Sequence, residues 1–185
     1  LEAWGAWDAG RLVALEGRTA ARGLRLAGAG KSRAAPFQVA EAAGRFAFER
    51  EATGWWLRLA DLVLHRAVGA PPRVPMDLAV VYRAGVPGGS AVRPGTVTVD
   101  AHNLRLAVLG ALLRRAELPT PWKHRLAALQ PGGVLHRLHL RYRGPVRAPE
   151  DLTLRARFSG LSFRHWGRLP GVAGLDGRVA GGPGN

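Results

Sequence analysis

The 185-residue sequence predicts a mainly β protein, built as an antiparallel or meandering sheet with one short helical insertion. About seven or eight segments alternate apolar and polar residues with a period of two, as half-buried strands do. Turn residues, and not regular helical crossovers, separate these segments, which favours antiparallel pairing. Residues 103–130 alone show helical spacing. Because the alternation is one-sided, we expect one face of the sheet to be solvated and the other apolar.

The amino-terminal part of the chain is predicted to form strands that end in a hairpin. Residues 1–10 are interpreted as the end of a preceding element, residues 11–26 as a strand and residues 27–36 as a loop. Residues 44–49 alternate with a period of two and form the next strand. Residues 51–54, Glu-Ala-Thr-Gly, have the composition of a hairpin turn.

The return strand of that hairpin, residues 55–64, changes its apolar phase along its length. Its first apolar positions are Trp55, Leu57 and Leu59, whereas the positions after Asp61 are Leu62 and Leu64. A one-residue shift inside a strand is what a β-bulge produces. The sequence therefore predicts a bulge next to Asp61.

Two further strands and two helices are predicted in the middle of the chain. Residues 76–83 and 96–101 alternate as strands, and residues 84–95 between them are predicted to form a loop rich in glycine and proline. Asn103 is a plausible N-cap for a helix over residues 104–118, since the apolar positions there follow helical spacing. A second short helix is predicted over residues 121–129, so that the helical insertion spans residues 103–130.

Strand alternation resumes after the insertion. Residues 134–143 alternate clearly, and residues 144–149 form a loop. The next strand begins at Leu152, is expected to turn at Ser159-Gly160, and continues through Phe163. Residues 174–179 are interpreted as the start of another strand. Because the chain begins without Met and stops where a strand is under way, we expect it to be a piece of a longer protein.

The charge and the composition allow several classes of partner. The chain has 27 Lys and Arg residues against 13 Asp and Glu residues, a net charge of +14, and no cysteine. This balance suits an anionic partner such as nucleic acid or lipid headgroups, and equally a solvated arginine-rich surface. Nucleic-acid binding is disfavoured because the aromatic residues alternate away from the basic ones, whereas a stacking platform for single strands needs both on one face.

The sequence predicts no enzyme, no cofactor and no metal site. Gly28-Ala29-Gly30-Lys31-Ser32 ends like a phosphate-binding loop, but the first glycine of that motif is replaced by Arg25. The six histidines lack metal-ligand spacing, and no carboxylate pair or nucleophile motif appears. The function is therefore expected to be non-enzymatic.

Two sets of side chains are candidates for binding. The apolar set either lines a channel for acyl chains or forms an ordinary core, and alternation alone favours the core. Its residues are Phe46, Phe48, Leu57, Leu59, Met76, Leu78, Val80, Tyr82, Val97, Val99, Leu138, Leu140, Tyr142, Leu152, Leu154 and Phe158. The basic set either meets anionic headgroups or forms the solvated outer face of the sheet, which is the favoured interpretation; its residues are Arg137, His139, Arg141, Arg143, Arg155 and Arg157.

Several segments resemble the YhdP family of large AsmA-like, or TamB-like, periplasmic proteins of Gram-negative bacteria. They are Gly54-Trp55-Trp56-Leu57-Arg58-Leu59-Ala60-Asp61-Leu62, residues 126–135 with the Leu138–Tyr142 strand, Ala156-Arg157-Phe158-Ser159-Gly160-Leu161, and Pro170-Gly171-Val172-Ala173-Gly174-Leu175-Asp176-Gly177-Arg178. Their order and spacing match the family's domain of unknown function from about residue 10 to the end.

The resemblance implies an elongated, twisted sheet that curls into an open groove with an apolar lining. Residues 1–185 would then be one fragment of a larger β-groove domain, with the helices inserted in it. It also implies a parent protein anchored in the inner membrane, whose groove crosses the periplasm and carries phospholipid toward the outer membrane on the apolar set. The alternative is a structural or assembly module of the TamB type that docks envelope proteins, outer-membrane proteins above all, through its sheet edges.

Overall fold

The computed structural model describes residues 1–26, 37–65, 74–85, 87–88, 91–92, 94–113, 128–144, 151–165 and 170–182. Its long strands are β1 (Glu2–Asp8), β2 (Arg11–Leu26), β3 (Phe37–Glu51), β4 (Gly54–His65), β5 (Met76–Arg83), β8 (Thr96–Arg105), β9 (Gly132–Arg143), β10 (Leu152–Phe163) and β11 (Val172–Gly181). Two short strands, β6 (Pro87–Gly88) and β7 (Ala91–Val92), and one helix, α1 (Leu106–Leu113), complete the described elements.

The nine long strands form one antiparallel sheet in the order β1-β2-β3-β4-β5-β8-β9-β10-β11. Each strand therefore pairs with the long strands that precede and follow it in the chain, and the sheet is an open meander with β1 and β11 at its edges. The predicted mainly β, antiparallel fold is confirmed. Short strands β6 and β7 pair with each other inside the region predicted as a loop.

The predicted hairpin and the predicted bulge are both present. Strand β3 ends at Glu51 and β4 begins at Gly54, with Glu51 paired to Gly54. Beyond Leu59, the register between β4 and β5 shifts by one residue. Asp61 has a φ of 53°, in the left-handed region where such an irregularity is accommodated. The phase change in the sequence thus located the bulge.

The helix begins later than predicted, so Asn103 is not its N-cap. Strand β8 runs on to Arg105, since Leu104 and Arg105 pair with Leu135 and Val134 of β9. Asn103 lies within the strand with a φ of 51°, and its side-chain amide donates to the carbonyl of Pro75. Most of the predicted second helix lies outside the described residues, as do the 27–36 loop and its Gly28–Ser32 segment.

The turn predicted at Ser159-Gly160 is wrong. Strand β10 is continuous from Leu152 to Phe163, and the register with β11 shifts between Phe158 and Leu161. Gly160 has a φ of 57°, so the sequence feature that suggested a turn marks a bulge within the strand.

The fully buried core is small and lies where β3 begins, β4 ends and β5 begins. Val108 of α1 packs there with residues of β3, β4 and β5, namely Val39, Ala42, Leu64 and Met76. The described helix therefore covers this part of the sheet. Among the described residues, no helix is both long enough and apolar enough to span a membrane.

Candidate functional site: an apolar sheet face

Cross-strand pairing arranges apolar residues in two rows that cross all nine strands. Directly opposed residues of antiparallel strands point to the same face, so each row lies on one face of the sheet. The first row is Gly5, Leu15, Phe48, Leu57, Val80, Val99, Leu140, Leu154 and Gly181. The second row is Ala3, Gly17, Phe46, Leu59, Leu78, Ala101, Leu138, Ala156 and Val179.

An aromatic row lies beside the first row on the same face. It runs from β4 to β10 through Trp55, Tyr82, Val97, Tyr142 and Leu152. The rings of Phe48 and Trp55 are 6.4 Å apart between centroids, and those of Trp55 and Tyr82 are 6.0 Å apart. The Tyr142 hydroxyl is buried and has no hydrogen-bond partner among the described residues.

The structure brings the whole predicted apolar set onto this one face. Phe158 and Met76 flank the second row, opposite Gly177 and Leu62 respectively. All members except Met76 are half-buried. Met76 is only 5% exposed and belongs to the core beneath α1, so it is the member that behaves as ordinary core.

Several members of the rows were not predicted from the sequence. Leu15, Ala101, Ala156 and Val179 occupy row positions but were left out of the apolar set. Alternation along the strand already places Ala156 on the face of Leu154 and Phe158, and it could have suggested Ala101 and Val179 as well. Leu15 becomes recognisable only through its partner Phe48 on the neighbouring strand.

The basic set lies on the opposite face, as predicted. Its rows alternate with the apolar ones, because Arg137 pairs with Arg157 and His139 pairs with Arg155. His139 Nδ1 lies 2.7 Å from Asp100 Oδ1, and both side chains are about half exposed. This face therefore carries exposed charge, and its groups cannot line the apolar face.

A concavity of about 600 Å³ lies toward the β1 end of the sheet, and most of its lining side chains belong to the charged face. Its charged walls include Glu16, Arg18, Arg45 and Arg58. Arg18 pairs with Glu2, and Arg45 pairs with Asp61. The lining also includes Ala47 and Ala60.

Comparison with known families identifies the chain. The model of the YhdP family, described as YhdP protein, matches residues 1–185. This chain belongs to the YhdP family. No curated protein and no solved structure matches it. The match confirms the YhdP resemblance of the sequence and extends it to the first ten residues.

Proposed function

We propose that this YhdP-family chain is a non-enzymatic segment of a periplasmic bridge that carries phospholipid by its acyl chains. The observation that supports this proposal is the pair of apolar rows, which cross all nine strands and whose large side chains are half-buried on the inner strands. The inner-membrane anchor, the periplasmic location and the direction toward the outer membrane are parts of the proposal that follow from the family resemblance.

The energetics of the apolar face suit a lipid that moves. Burial of an acyl chain stabilises the complex by about 0.8 kcal/mol per methylene, so many weak contacts hold it without a specific pocket. Neighbouring strands lie about 4.8 Å apart, so a chain that advances along the rows meets a similar environment at each strand. No single contact is strong enough to trap it, which allows sliding.

Photo-crosslinking in the intact protein tests this proposal. Crosslinkers at Leu140 and Phe158 should label phospholipid, because both side chains lie on the apolar face. Crosslinkers at Arg141 and Arg157 on the same two strands are the matched controls and should give no lipid adduct. Equal labelling at both pairs of positions, or none at Leu140 and Phe158, would refute the proposal.

The open sheet edges favour a second candidate function, an assembly module that pairs with strands of envelope proteins. Strand β1 is exposed throughout, and β11 is exposed from Ala173 to Ala180. Edge strands offer unpaired backbone groups to another strand. Crosslinkers at Trp4 and Arg178 that label a partner protein, with no lipid at Leu140 or Phe158, would support this second function over the first.

A further inference from the structure

Two bulges in the sheet have the same construction, and the first lies between β4 and β5. Leu59 pairs with Leu78 and Leu62 pairs with Met76, so that Ala60 and Asp61 together face one residue, Asp77. Asp61 is in the left-handed region, with a φ of 53°. Its backbone N–H donates to Asp77 Oδ1 at 2.9 Å. The carboxylate thus satisfies an amide whose ladder partner the bulge has removed.

The second bulge lies between β10 and β11. Phe158 pairs with Gly177 and Leu161 pairs with Leu175, so that two residues of β10 face Asp176. Gly160 is left-handed, with a φ of 57°. Its backbone N–H donates to Asp176 Oδ1 at 2.6 Å. In both bulges the acceptor follows the donor by 16 residues.

The strand that precedes each bulge carries a glycine at the matching position. Gly44 of β3 faces the first bulge, and a Cβ atom there would lie 3.1 Å from Leu62 Cα. Gly133 of β9 faces the second, and a Cβ atom there would lie 2.6 Å from the carbonyl oxygen of Gly160. Strands β3–β4–β5 and β9–β10–β11 therefore contain the same bulge unit: a glycine, a left-handed residue and a capping aspartate.

Each bulge unit keeps the apolar face continuous along its strand. Leu59 and Leu62 are three positions apart, and in a regular strand they would point to opposite faces. Their partners Leu78 and Met76 are two positions apart and share a face, so the bulge places Leu59 and Leu62 on that face as well. The same argument puts Phe158 and Leu161 on one face, opposite Gly177 and Leu175.

We propose that Asp77 and Asp176 are positioning residues for the apolar face, each holding a bulge that returns the next leucine to that face. This inference rests on the proposed lipid-carrying function and adds the residues that maintain its surface. A hydrogen bond from an amide to a carboxylate is stronger than one between neutral groups. The bond to the aspartate therefore stabilises the bulged pairing relative to a regular pairing of the two strands. Without the hydrogen bond from the Gly160 amide to Asp176, β10 can adopt a regular register with β11. Leu161 then points to the charged face, away from the lipid.

The test compares Asp176→Ala with Asp176→Asn in the intact protein, because the asparagine keeps an Oδ1 acceptor. Asp100→Ala is the control, since Asp100 contacts a side chain on a regular part of the sheet. The first readout is hydrogen exchange at the Gly160 amide. We expect at least tenfold faster exchange in Asp176→Ala, a smaller increase in Asp176→Asn because it keeps the acceptor and loses only its charge, and a change of less than about threefold in Asp100→Ala. Unchanged exchange in Asp176→Ala would overturn the capping role.

The second readout is lipid labelling from a crosslinker at Leu161, compared with one at Leu140. In Asp176→Ala, labelling at Leu161 should fall at least fivefold while labelling at Leu140 stays within twofold. Loss at both positions would indicate general destabilisation and would contradict local positioning, as would unchanged labelling at Leu161 despite faster exchange. If the unsubstituted protein shows no lipid at Leu140, the lipid-carrying function fails, while the exchange result still decides whether Asp176 caps the bulge.

Discussion

Gly17 of β2 lies directly opposite Phe46 of β3, and the phenyl ring occupies the space that a side chain at position 17 would need. A Cβ atom at Gly17 would lie 2.8 Å from Phe46 Cζ and 2.9 Å from Ala3 Cα of β1. The second apolar row therefore passes from β1 to β3 over a residue without a side chain. This close fit explains why Gly17 is buried beside an edge strand.

We expect Gly17→Val to lower the free energy of unfolding by about 1–3 kcal/mol, because the ring of Phe46 and strand β1 must both move. Thermal denaturation followed by circular dichroism measures the change. Gly181→Val is the matched control, since no atom lies within 4 Å of a Cβ placed there. Its effect should stay within about 0.5 kcal/mol. Equal effects of the two substitutions would contradict the close packing at Gly17.

Removal of the Tyr142 hydroxyl should stabilise the chain. The hydroxyl is buried without a hydrogen-bond partner among the described residues, and such a group costs about 1–3 kcal/mol of desolvation. Tyr142→Phe keeps the ring and should raise the free energy of unfolding by about 1 kcal/mol, measured by chemical denaturation. Tyr82→Phe on the same row is the control and should have a smaller effect. A loss of stability in Tyr142→Phe would show that the hydroxyl has a partner.

Polar substitution on the apolar rows should weaken lipid binding without unfolding the sheet. Val80 and Val99 are directly opposed in the first row, and threonine keeps their shape and strand propensity. A buried hydroxyl against an acyl chain costs about 1–3 kcal/mol, so the double variant Val80→Thr, Val99→Thr should bind phospholipid at least fivefold more weakly. Lipid that copurifies with the protein, quantified by mass spectrometry, measures this loss.

Val81→Thr is the control for that experiment, because Val81 neighbours Val80 but pairs with Thr98 on the charged face. Its lipid content should match that of the unsubstituted protein. A comparable loss in Val81→Thr would argue against binding on one face.

A charge on the β11 edge should reduce self-association of this chain. Leu175 and Val179 are 47% and 42% exposed on an edge strand. The unpaired backbone N–H and C=O groups of such a strand can form hydrogen bonds with a strand of a second molecule. Val179→Lys should therefore lower the oligomer fraction in size-exclusion chromatography with light scattering. Val74→Lys is the control, since Val74 is 59% exposed but lies outside the strands. If both variants behave alike, general solubility and not the edge governs association.

Local patterns in the sequence predicted the strands and one of the two bulges that an aspartate caps. At Asp61 the apolar phase visibly changes, so the bulge leaves a mark in the sequence. At Gly160 the same construction was interpreted as a turn, because Ser-Gly is common in turns and glycine accepts left-handed angles in both settings. The capping aspartate lies 16 residues away on another strand, and alternation within one strand does not reveal it.

The start of the helix was mispredicted because two tendencies compete after Asn103. The leucine- and alanine-rich stretch that follows has helical spacing, and asparagine is a common N-cap. Pairing of Leu104 and Arg105 with β9 instead extends the strand, and the left-handed Asn103 donates its side-chain amide to the carbonyl of Pro75. Tertiary pairing outweighs local propensity here, and that pairing depends on a strand some 30 residues later.

The rows themselves could be predicted only in part. The sequence shows which residues of one strand share a face, but the register between strands depends on turns and bulges. Leu15 lies in a stretch with weak alternation and joins the first row only because it opposes Phe48. Ala101 opposes Leu78 and Leu138 in the second row, and its alternation with Val97 and Val99 could have placed it on this face from the sequence.

The strict chain-order arrangement of the long strands means that each one pairs only with its immediate neighbours in the sheet. The free energy of unfolding of such a sheet is nearly a sum of contributions from each strand and from each pair of neighbouring strands, as in repeat proteins. Insertion or deletion of one whole hairpin would lengthen or shorten the sheet by about 10 Å and leave every remaining pair in phase. The length of the sheet across its strands can thus change in evolution by two strands at a time, without a change in the residues of the apolar rows.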